Sequence, residues 1–297
     1  MALQRLGNTE KRLMKNQEVG DSYSKTIEQY LEKRYIRKIN QDEEKSGKWF
    51  LPHLPVIRPD KSTAKTRIVF NASAKHCGVS LNDMIHCGSK LQNELCDVLI
   101  RFRFSVAIVC DITEIYLRIK VPQEDGPYQQ FLWRYVKPEE KPDVYEFSNV
   151  VFGINSLPLQ AQFVAHTHAE TNRETYPMAA ETVLKSTYMD DSMDSVSTEE
   201  DGVKLYRQLS ALWEKAGMYA WKWRSNSVGE LQHIPTEDVV PEVDLHDNRL
   251  SSVKTLGVLW RAKYDIFIFK ANPPEDDFAY TSGFSTDIAM LLNPLGS

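Results

Sequence analysis

The sequence lacks any long apolar run. No stretch approaches the roughly 18 consecutive apolar residues that a membrane-spanning helix needs. Residues 1–20 are polar and mixed in charge, without the apolar segment of a signal peptide. Cysteine is also scarce, and the four residues between positions 77 and 110 form no CxxC pair. These absences argue against a membrane span, a secreted disulfide framework and a paired-cysteine zinc site, and they favour reduced thiols.

The sequence also lacks the excess of positive charge that is typical of nucleic-acid-binding proteins, because its net charge is -5. The charges are nevertheless distributed unevenly. Residues 1–75 hold 16 Lys and Arg against 9 Asp and Glu, a net charge of +7, and the remaining residues hold 20 against 32, a net charge of -12. The basic part could face phosphates while the acidic part binds cations. For Lys25 to Arg37 alone, a solvated helix face is the simpler interpretation.

Periodicity predicts a mixture of helices and strands. The spacing of apolar residues predicts helices over 22–40, 91–104, 156–173 and 199–216, the last ending at Gly217. Short runs rich in β-branched and aromatic residues predict strands over 67–70, 104–110, 183–188, 193–196, 219–223 and 255–260. Residues 41–48 are typical of a linker, and 271–297 show no periodic pattern. Since helices and strands do not alternate in strict βαβ order, we expect an α+β fold with an antiparallel sheet backed by helices.

Three aspartates are predicted at strand ends. Asp111 follows a predicted buried strand, and Asp190 and Asp191 lie in a predicted turn between two strands. Adjacent carboxylates repel each other in a protein interior, and a divalent cation removes that penalty. Convergence of the three would suit a two-metal site for phosphoryl transfer. An Asp-Asp pair in a turn is more often simply solvated, so the residues alone leave both interpretations open.

Several segments, in order, resemble reverse transcriptases. Tyr188-Met189-Asp190-Asp191 resembles the polymerase signature, and Cys110-Asp111-Ile112 followed by Tyr116 resembles the other half of that active site. Further similar segments are KSTAKTRIVFNAS (61–73), FGINSLP (152–158), AGMYAWKWRSNS (216–227) and TLGVLW (255–260). The chain resembles, in particular, the BEL/Pao class of long-terminal-repeat retrotransposons. The segments that carry this resemblance are LPHLPVIRP, RIVFNAS, SLND, RFR, QFLWR and KW-SN. The resemblance covers residues 22 to about 265 and implies an RNA-directed DNA polymerase.

The resemblance implies a role for each matching residue. The implied metal ligands are Asp111, Asp190, Asp191 and the backbone carbonyl of Ile112, holding two Mg²⁺ ions, with Mn²⁺ as an alternative. Lys222 matches a lysine proposed to protonate the leaving pyrophosphate, although a solvated lysine between two tryptophans is an equally good interpretation. The implied nucleotide-binding residues are Lys61, Arg67, Tyr116, Gly153 and Pro158, and the implied primer contacts are Tyr188 and Met189. Tyr116 would exclude ribonucleotides, and the alternative is that it is simply a tyrosine of the core. For Lys61 the alternative is a surface charge.

The resemblance also predicts a subdomain order. It implies an N-terminal helical extension (1–48), fingers (49–103 and 121–152), palm (104–120 and 153–265) and a tail or incomplete thumb (266–297). We expect a fingers and palm fold whose thumb is missing or incomplete, without RNase H, integrase or protease regions in this chain. The implied partners are a primed RNA or DNA template and deoxynucleoside triphosphates, with no membrane. The implied location is a retroelement particle in the cytoplasm, or the nucleus.

A second hypothesis belongs to a different class. The chain could be a catalytically silent fragment, or a remnant captured by its host, that at most binds nucleic acid. The intact Asp111, Asp190, Asp191 and Tyr116 favour the polymerase, and the expected lack of a thumb favours the remnant. An RNA polymerase of similar architecture is disfavoured by Tyr116.

Overall fold

The computed structural model describes residues 2–40, 48–57, 66–240, 254–255, 258–261 and 266–268. Its helices are α1 (Ala2–Leu13), α2 (Gln17–Glu32), α3 (Leu81–Met84), α4 (Leu95–Arg101), α5 (Leu157–Thr171), α6 (Pro177–Lys185), α7 (Glu199–Lys215) and α8 (Val228–Leu231). Its strands are β1 (Ile36–Lys38), β2 (His53–Ile57), β3 (Thr66–Phe70), β4 (Val106–Thr113), β5 (Gln130–Trp133), β6 (Asp143–Phe147), β7 (Thr187–Tyr188), β8 (Asp191–Val196), β9 (Tyr219–Ser225), β10 (Lys254–Thr255), β11 (Val258–Arg261) and β12 (Ile266–Ile268). The predicted mixture of helices and antiparallel strands is confirmed.

The chain divides into two compact units. The first comprises Met1–Gln92 and Glu114–His168, and the second comprises Asn93–Thr113 and Ala169–Ser297. Each unit is therefore built from two separate parts of the sequence. The predicted subdomain boundaries stay a prediction. Among the described residues, no helix is both long and apolar enough to cross a membrane.

The first unit holds a three-stranded antiparallel sheet in the order β1-β6-β5 and the hairpin β2-β3. Helices α1 and α2 pack on β2, β3 and β5, and α2 begins where the Asn16 side chain accepts a hydrogen bond from the N–H of Val19. Large aromatic side chains fill the core, with Phe70, Phe131 and Phe147 in mutual edge or tilted contact. Apolar residues of both N-terminal helices belong to this same core, so α1 and α2 are integral to the unit.

Polar groups are also buried in the first unit. His53 is buried; its Nδ1 is hydrogen-bonded to the Tyr23 hydroxyl, and its Nε2 lies 2.8 Å from the Leu132 carbonyl oxygen. Burial lowers the pKa of His53 to about 4, so its imidazole is neutral near pH 7. The Glu10 carboxylate, also buried, forms a two-pronged ion pair with Arg134. The Arg134 guanidinium donates at 2.8 Å and 2.7 Å to the two carboxylate oxygens.

The second unit is organised around a four-stranded antiparallel sheet in the order β7-β8-β4-β9. Helix α7 packs on β4, β8 and β9, and the Thr198 side chain caps its N-terminus by accepting from the N–H of Asp201. A second sheet has the order β10-β11-β12. Trp260 of β11 joins a buried cluster with Phe102, Val109 and Met193, so β11 shares a core with the main sheet.

Helix α7 begins at the predicted start and ends one residue before the predicted end, and Gly217 after its C-cap adopts the left-handed conformation. The predicted helices over 156–173 and 91–104 and the strands over 67–70, 193–196 and 219–223 are confirmed, with small shifts of their ends. The strand over 255–260 is confirmed for the described residues on either side of 256–257. The linker 41–48, Lys61 and the tail 271–297 lie wholly or mostly outside the described residues.

Three predictions of secondary structure are wrong in part. The predicted helix over 22–40 ends at Glu32, because Arg34 adopts a left-handed backbone (φ 57°) and the chain then enters β1. The predicted strand over 183–188 is mostly helix, since α6 runs to Lys185 and only Thr187–Tyr188 pair with β8. The strand predicted to stop before Asp111 continues to Thr113, because β9 keeps pairing with it.

Candidate active site

The site begins with the pairing of β4 and β8. In this antiparallel ladder Asp111 lies directly opposite Asp191, so the two aspartates are cross-strand neighbours. Asp190 precedes Asp191 in the turn that joins β7 to β8, and its carbonyl oxygen accepts a hydrogen bond of 2.8 Å from the N–H of Ile112. The structure therefore places the three aspartates that the sequence singles out at neighbouring backbone positions of the ladder and its turn.

The turn itself is compact. Met189 adopts a left-handed backbone (φ 59°), which lets β7 reverse into β8 through only Met189 and Asp190. The buried hydroxyl of Thr187 fixes the base of the turn, with its oxygen 2.8 Å from that of Ser192 and 3.1 Å from the Thr182 carbonyl oxygen. The predicted primer-contacting residues Tyr188 and Met189 thus lie at the turn, both partly exposed.

The carboxylates interact electrostatically. Burial, followed by the negative charges of Asp190 and Asp111, raises the pKa of Asp191 to about 7. Arg224 and Lys222 act in the opposite direction. Near neutral pH, Asp191 is consequently poised between its acid and its carboxylate, a state that a bound cation would shift to the carboxylate.

Lys222 reaches this group through a bulge. Between the pairs Val109–Arg224 and Asp111–Trp221, β9 has one more residue than β4, and Lys222 lies in that extra length with a left-handed backbone (φ 53°). Its Nζ donates to Asp111 Oδ2 at 2.8 Å and lies 4.4 Å from the centre of the Trp221 ring. Lys222 is thus an ion-pair partner of Asp111, with about 40% of its side chain exposed to solvent.

The other oxygen of Asp111 is also engaged. Trp221 Nε1 donates to Asp111 Oδ1 at 3.3 Å. Within the part of the chain that the structure describes, no group of three or more His, Cys, Asp or Glu side chains is arranged to enclose a metal ion. The donor set nevertheless fits a hard divalent cation, because all its side-chain donors are carboxylate oxygens and their mutual repulsion is what a cation relieves.

The predicted nucleotide-binding residues that the structure describes all lie in the first unit. Tyr116 is in the 3₁₀ turn Tyr116–Arg118, where it is buried and makes an edge contact with Phe152 at 5.0 Å between ring centres. Arg67 is exposed on β3, opposite Val56. Pro158 is exposed in the first turn of α5. The structure therefore places these residues in one unit and the carboxylates in the other.

Gly153 occupies a position that only glycine suits. Its φ is +106°, and a Cβ built there would lie 2.1 Å from the Phe70 carbonyl oxygen. Asn82 braces the same loop: its Nδ2 donates to the Gly153 carbonyl at 2.9 Å, and its Oδ1 accepts from the N–H of Asn155 at 3.0 Å. The sequence motif predicted Gly153 but not Asn82, although SLND, which contains Asn82, is among the segments that carry the resemblance.

Arg224 is a further residue that sequence reasoning missed. It is partly buried on β9, and its charge favours the carboxylates of Asp191 and Asp111. Desolvation lowers its pKa, against the raising effect of Asp191 and Asp111. Arg224 lies one residue beyond the predicted strand 219–223 and next to a bulge, so the alternation of side chains along that strand did not point to it.

Comparison with known proteins supports the fold. No family model matches the chain, and no curated protein matches it. Among solved structures, a foamy viral protease-reverse transcriptase in complex with double-stranded DNA is similar with a TM-score of 0.50 and 14% identity, covering 67% of this chain and 30% of that one. A Prototype Foamy Virus protease-reverse transcriptase is similar with a TM-score of 0.51 and 15% identity, covering 69% of this chain and 24% of that one. The chain has a reverse-transcriptase-like fold and spans less than a third of the length of these proteins.

Proposed function

We propose that this chain is the polymerase core of a reverse transcriptase from a BEL/Pao-type retrotransposon, adding deoxynucleotides to a primer 3′ end. The observation that carries the proposal is the direct pairing of Asp111 with Asp191, with Asp190 adjoining and the pKa of Asp191 raised to about 7 by burial and by the two neighbouring charges. Clustered carboxylates repel one another and lower the stability of the fold. Their presence in the folded protein therefore indicates a functional role. Carboxylates gathered at a sheet turn suit phosphoryl transfer.

Magnesium is the cation that this donor set favours, with manganese as an alternative. Asp111, Asp190 and Asp191 would hold two ions together with the Ile112 carbonyl. When bound, the ions would activate the primer hydroxyl and neutralise charge on the triphosphate. Lys222, whose Nζ donates to Asp111, would hold a proton for the leaving pyrophosphate.

Residues of the first unit would select the nucleotide. Arg67, with Lys61, would bind the triphosphate, since a guanidinium can donate two parallel hydrogen bonds to phosphate. Tyr116 would lie against the sugar and exclude a 2′-hydroxyl, with Gly153 and Pro158 near the new base pair. Tyr188 and Met189 would contact the primer end. The partners would be a primed RNA or DNA template and deoxynucleotides, in a cytoplasmic retroelement particle or the nucleus, together with other polyprotein domains.

Primer extension by the purified chain tests the proposal. The wild type should extend a labelled DNA primer on an RNA template with Mg²⁺, and Asp190→Asn should abolish extension while keeping the fold. Asp97→Asn is the matched control, because Asp97 is an exposed aspartate of the same unit outside the carboxylate group. Extension by Asp190→Asn at the wild-type rate would remove Asp190 from the site.

A silent remnant that at most binds nucleic acid is the second candidate. It is favoured by one observation: both oxygens of Asp111 already accept hydrogen bonds, from Trp221 and Lys222. The same assay separates the candidates, because a remnant would retain a primer–template in a binding experiment but extend it with neither Mg²⁺ nor Mn²⁺.

A further inference from the structure

Glu114 holds an unusual place in the first unit. It follows β4 directly and precedes the 3₁₀ turn that carries Tyr116. Its backbone is left-handed (φ 55°), a conformation that costs a non-glycine residue about 1 kcal/mol or more unless its surroundings enforce it. The side-chain contacts of Glu114 supply that enforcement.

Two residues beyond the end of α2 grip the Glu114 carboxylate. Lys33 Nζ donates to Oε1 at 2.6 Å, and the Tyr35 hydroxyl donates to Oε2 at 2.7 Å. Arg118, four residues on, places its Nη2 3.6 Å from Oε2. Burial alone would raise the pKa of Glu114, but the hydrogen bonds from Lys33 and Tyr35 and the positive charges outweigh it and lower the pKa. The carboxylate is therefore charged and held at both oxygens.

Tyr35, which donates to Glu114, is itself held in place by the core. Tyr35 is buried, its N–H donates to the Tyr30 carbonyl oxygen at 2.9 Å, and its own carbonyl oxygen accepts from the N–H of Ser148 at 2.9 Å. The guanidinium of Arg118 and the ammonium of Lys33 lie 5.8 Å and 5.7 Å from the centre of its ring. Tyr35 is thus fixed by the core before it contacts Glu114.

The backbone of Glu114 is in turn part of the Tyr116 turn. The N–H of Arg118 donates to the Glu114 carbonyl oxygen at 3.2 Å, and the N–H of Ile119 donates to the Tyr116 carbonyl oxygen at 3.1 Å. Holding Glu114 in its left-handed conformation therefore sets where the turn starts and which way Tyr116 points toward Phe152.

We propose that Glu114, gripped by Lys33 and Tyr35, is a positioning residue for the nucleotide site, because it fixes the turn that places Tyr116. The inference rests on the proposed function for what Tyr116 does. Glu114 touches no reacting atom in this scheme; it acts through Tyr116. The N-terminal helical segment thereby contributes to selection of the sugar, and not only to folding.

The test combines selectivity with hydrogen exchange. Glu114→Asn keeps a residue that tolerates the left-handed region but shortens the reach of its side chain. It should lower the preference for deoxynucleotides over ribonucleotides on the order of tenfold and raise KM for deoxynucleotides more than it lowers kcat. Glu114→Gln, which can still accept from Tyr35, should recover most of the preference. Tyr35→Phe should lose about two- to fivefold. The amides of Arg118 and Ile119 should exchange faster in Glu114→Asn.

Glu140→Asn is the matched control, since Glu140 is an exposed glutamate of the same unit whose side chain pairs with Lys137 at 3.0 Å. It should leave selectivity and exchange unchanged. A Glu114→Asn protein that is less stable, yet has wild-type selectivity and KM, would overturn the proposal and leave Glu114 with a structural role. If the wild type extends no primer, the proposed function fails instead. Hydrogen exchange then still tests the role of Glu114. Unchanged protection of the Arg118 and Ile119 amides in Glu114→Asn would overturn the positioning role, and faster exchange of these amides would support it.

Discussion

The two units differ in what surrounds their buried and partly buried acids. In the first unit, Glu10 is matched by Arg134, and Glu146 by Arg37, whose Nη2 donates at 2.8 Å. In the second unit, burial raises the pKa of Asp191 and of Glu230 to about 7, and the neighbouring charge on each is largely negative. A buried carboxylate that forms an ion pair with a cationic side chain helps to specify the fold. A buried carboxylate next to other carboxylates instead destabilises the folded state.

The difference separates structural acids from candidate functional ones. In the first unit, the carboxylates of Glu10 and Glu146 each form an ion pair with an arginine that donates hydrogen bonds to them. The acids of the second unit at the β7–β8 turn are crowded, and the positive charges of Lys222 and Arg224 offset only part of the effect on Asp191. Crowding of this kind is a physical reason to place the chemistry in the second unit, independent of the resemblance in sequence.

The largest effect should come from the crowded acids. Asp191→Asn keeps the shape of the side chain but removes its charge, so nucleotide addition should fall on the order of a thousandfold, as expected when several kcal/mol of charge stabilisation are lost. The melting temperature should stay the same or rise, because a repulsive buried charge is removed. Single-nucleotide kinetics beside a melting curve measure both. A large fall in melting temperature together with inactivity would mean that Asp191 is a structural acid like those of the first unit.

The ion pairs of the first unit should respond with the opposite sign. Arg134→Met leaves the Glu10 carboxylate buried without its cation, which should cost about 3–5 kcal/mol of unfolding free energy. Urea denaturation measures this cost. Adding Glu10→Gln to Arg134→Met should restore a substantial part of the loss, because the uncompensated charge is then gone. A loss below about 1 kcal/mol for Arg134→Met would show that the buried Glu10 carboxylate does not depend on its cation.

Glu230 gives a pH-dependent form of the same comparison. It is fully buried, its Oε2 accepts from the Ser225 hydroxyl at 2.6 Å, and burial raises its pKa from 4.5 to about 7. Between these values the folded state keeps a proton that the unfolded state has released, so stability falls as pH rises from 4.5 to 7 and is level above. Glu230→Gln should thus be about 1–3 kcal/mol more stable than wild type above pH 7, and the gain should vanish near pH 4.5.

Urea denaturation of Glu230→Gln at several pH values checks this dependence. Glu214→Gln, at an exposed position of α7, is the control and should show no such dependence. A stability difference that does not change with pH would show that Glu230 is already charged in the folded protein.

The smallest effect in this series concerns selectivity. Tyr116→Ala should change the ratio of ribonucleotide to deoxynucleotide incorporation by about tenfold while the acids of the second unit keep the rate of addition within a similar factor. Competition between the two nucleotide types on one template gives the ratio. Tyr116 is buried against Phe152, so some loss of stability is expected in either case. An unchanged ratio would make Tyr116 a core residue only.

Much of the sheet around the acids follows from sequence. The run FSVAIVC marks β4, and the apolar face of 199–216 marks α7, because both patterns are long and regular. Helix α6 was missed since Val183 and Leu184 form an apolar pair that suits a strand equally well. Strands β5 and β6 were missed because runs of four or five apolar and polar residues carry too little periodicity.

The geometry of the site depends on pairing that sequence alone leaves open. The motifs placed Asp111 and Asp191 at strand ends, but their opposition depends on register, and a shift of one residue would turn one of them to the other face. The contact between Lys222 and Asp111 needs a bulge and a left-handed lysine, neither of which has a sequence signal. The grip of Lys33 and Tyr35 on Glu114 joins residues about 80 positions apart, beyond any local pattern.

The interrupted second unit has a consequence for synthesis. Strand β4 leaves the ribosome with the first unit's residues 114–168 still to follow, and its partners β8 and β9 begin about 80 and 105 residues later. At roughly 5–20 residues per second, β4 waits several seconds or more with both edges open and an almost wholly apolar surface. During this interval β4 presents two unpaired edges to other chains, which is the condition under which strands pair between molecules.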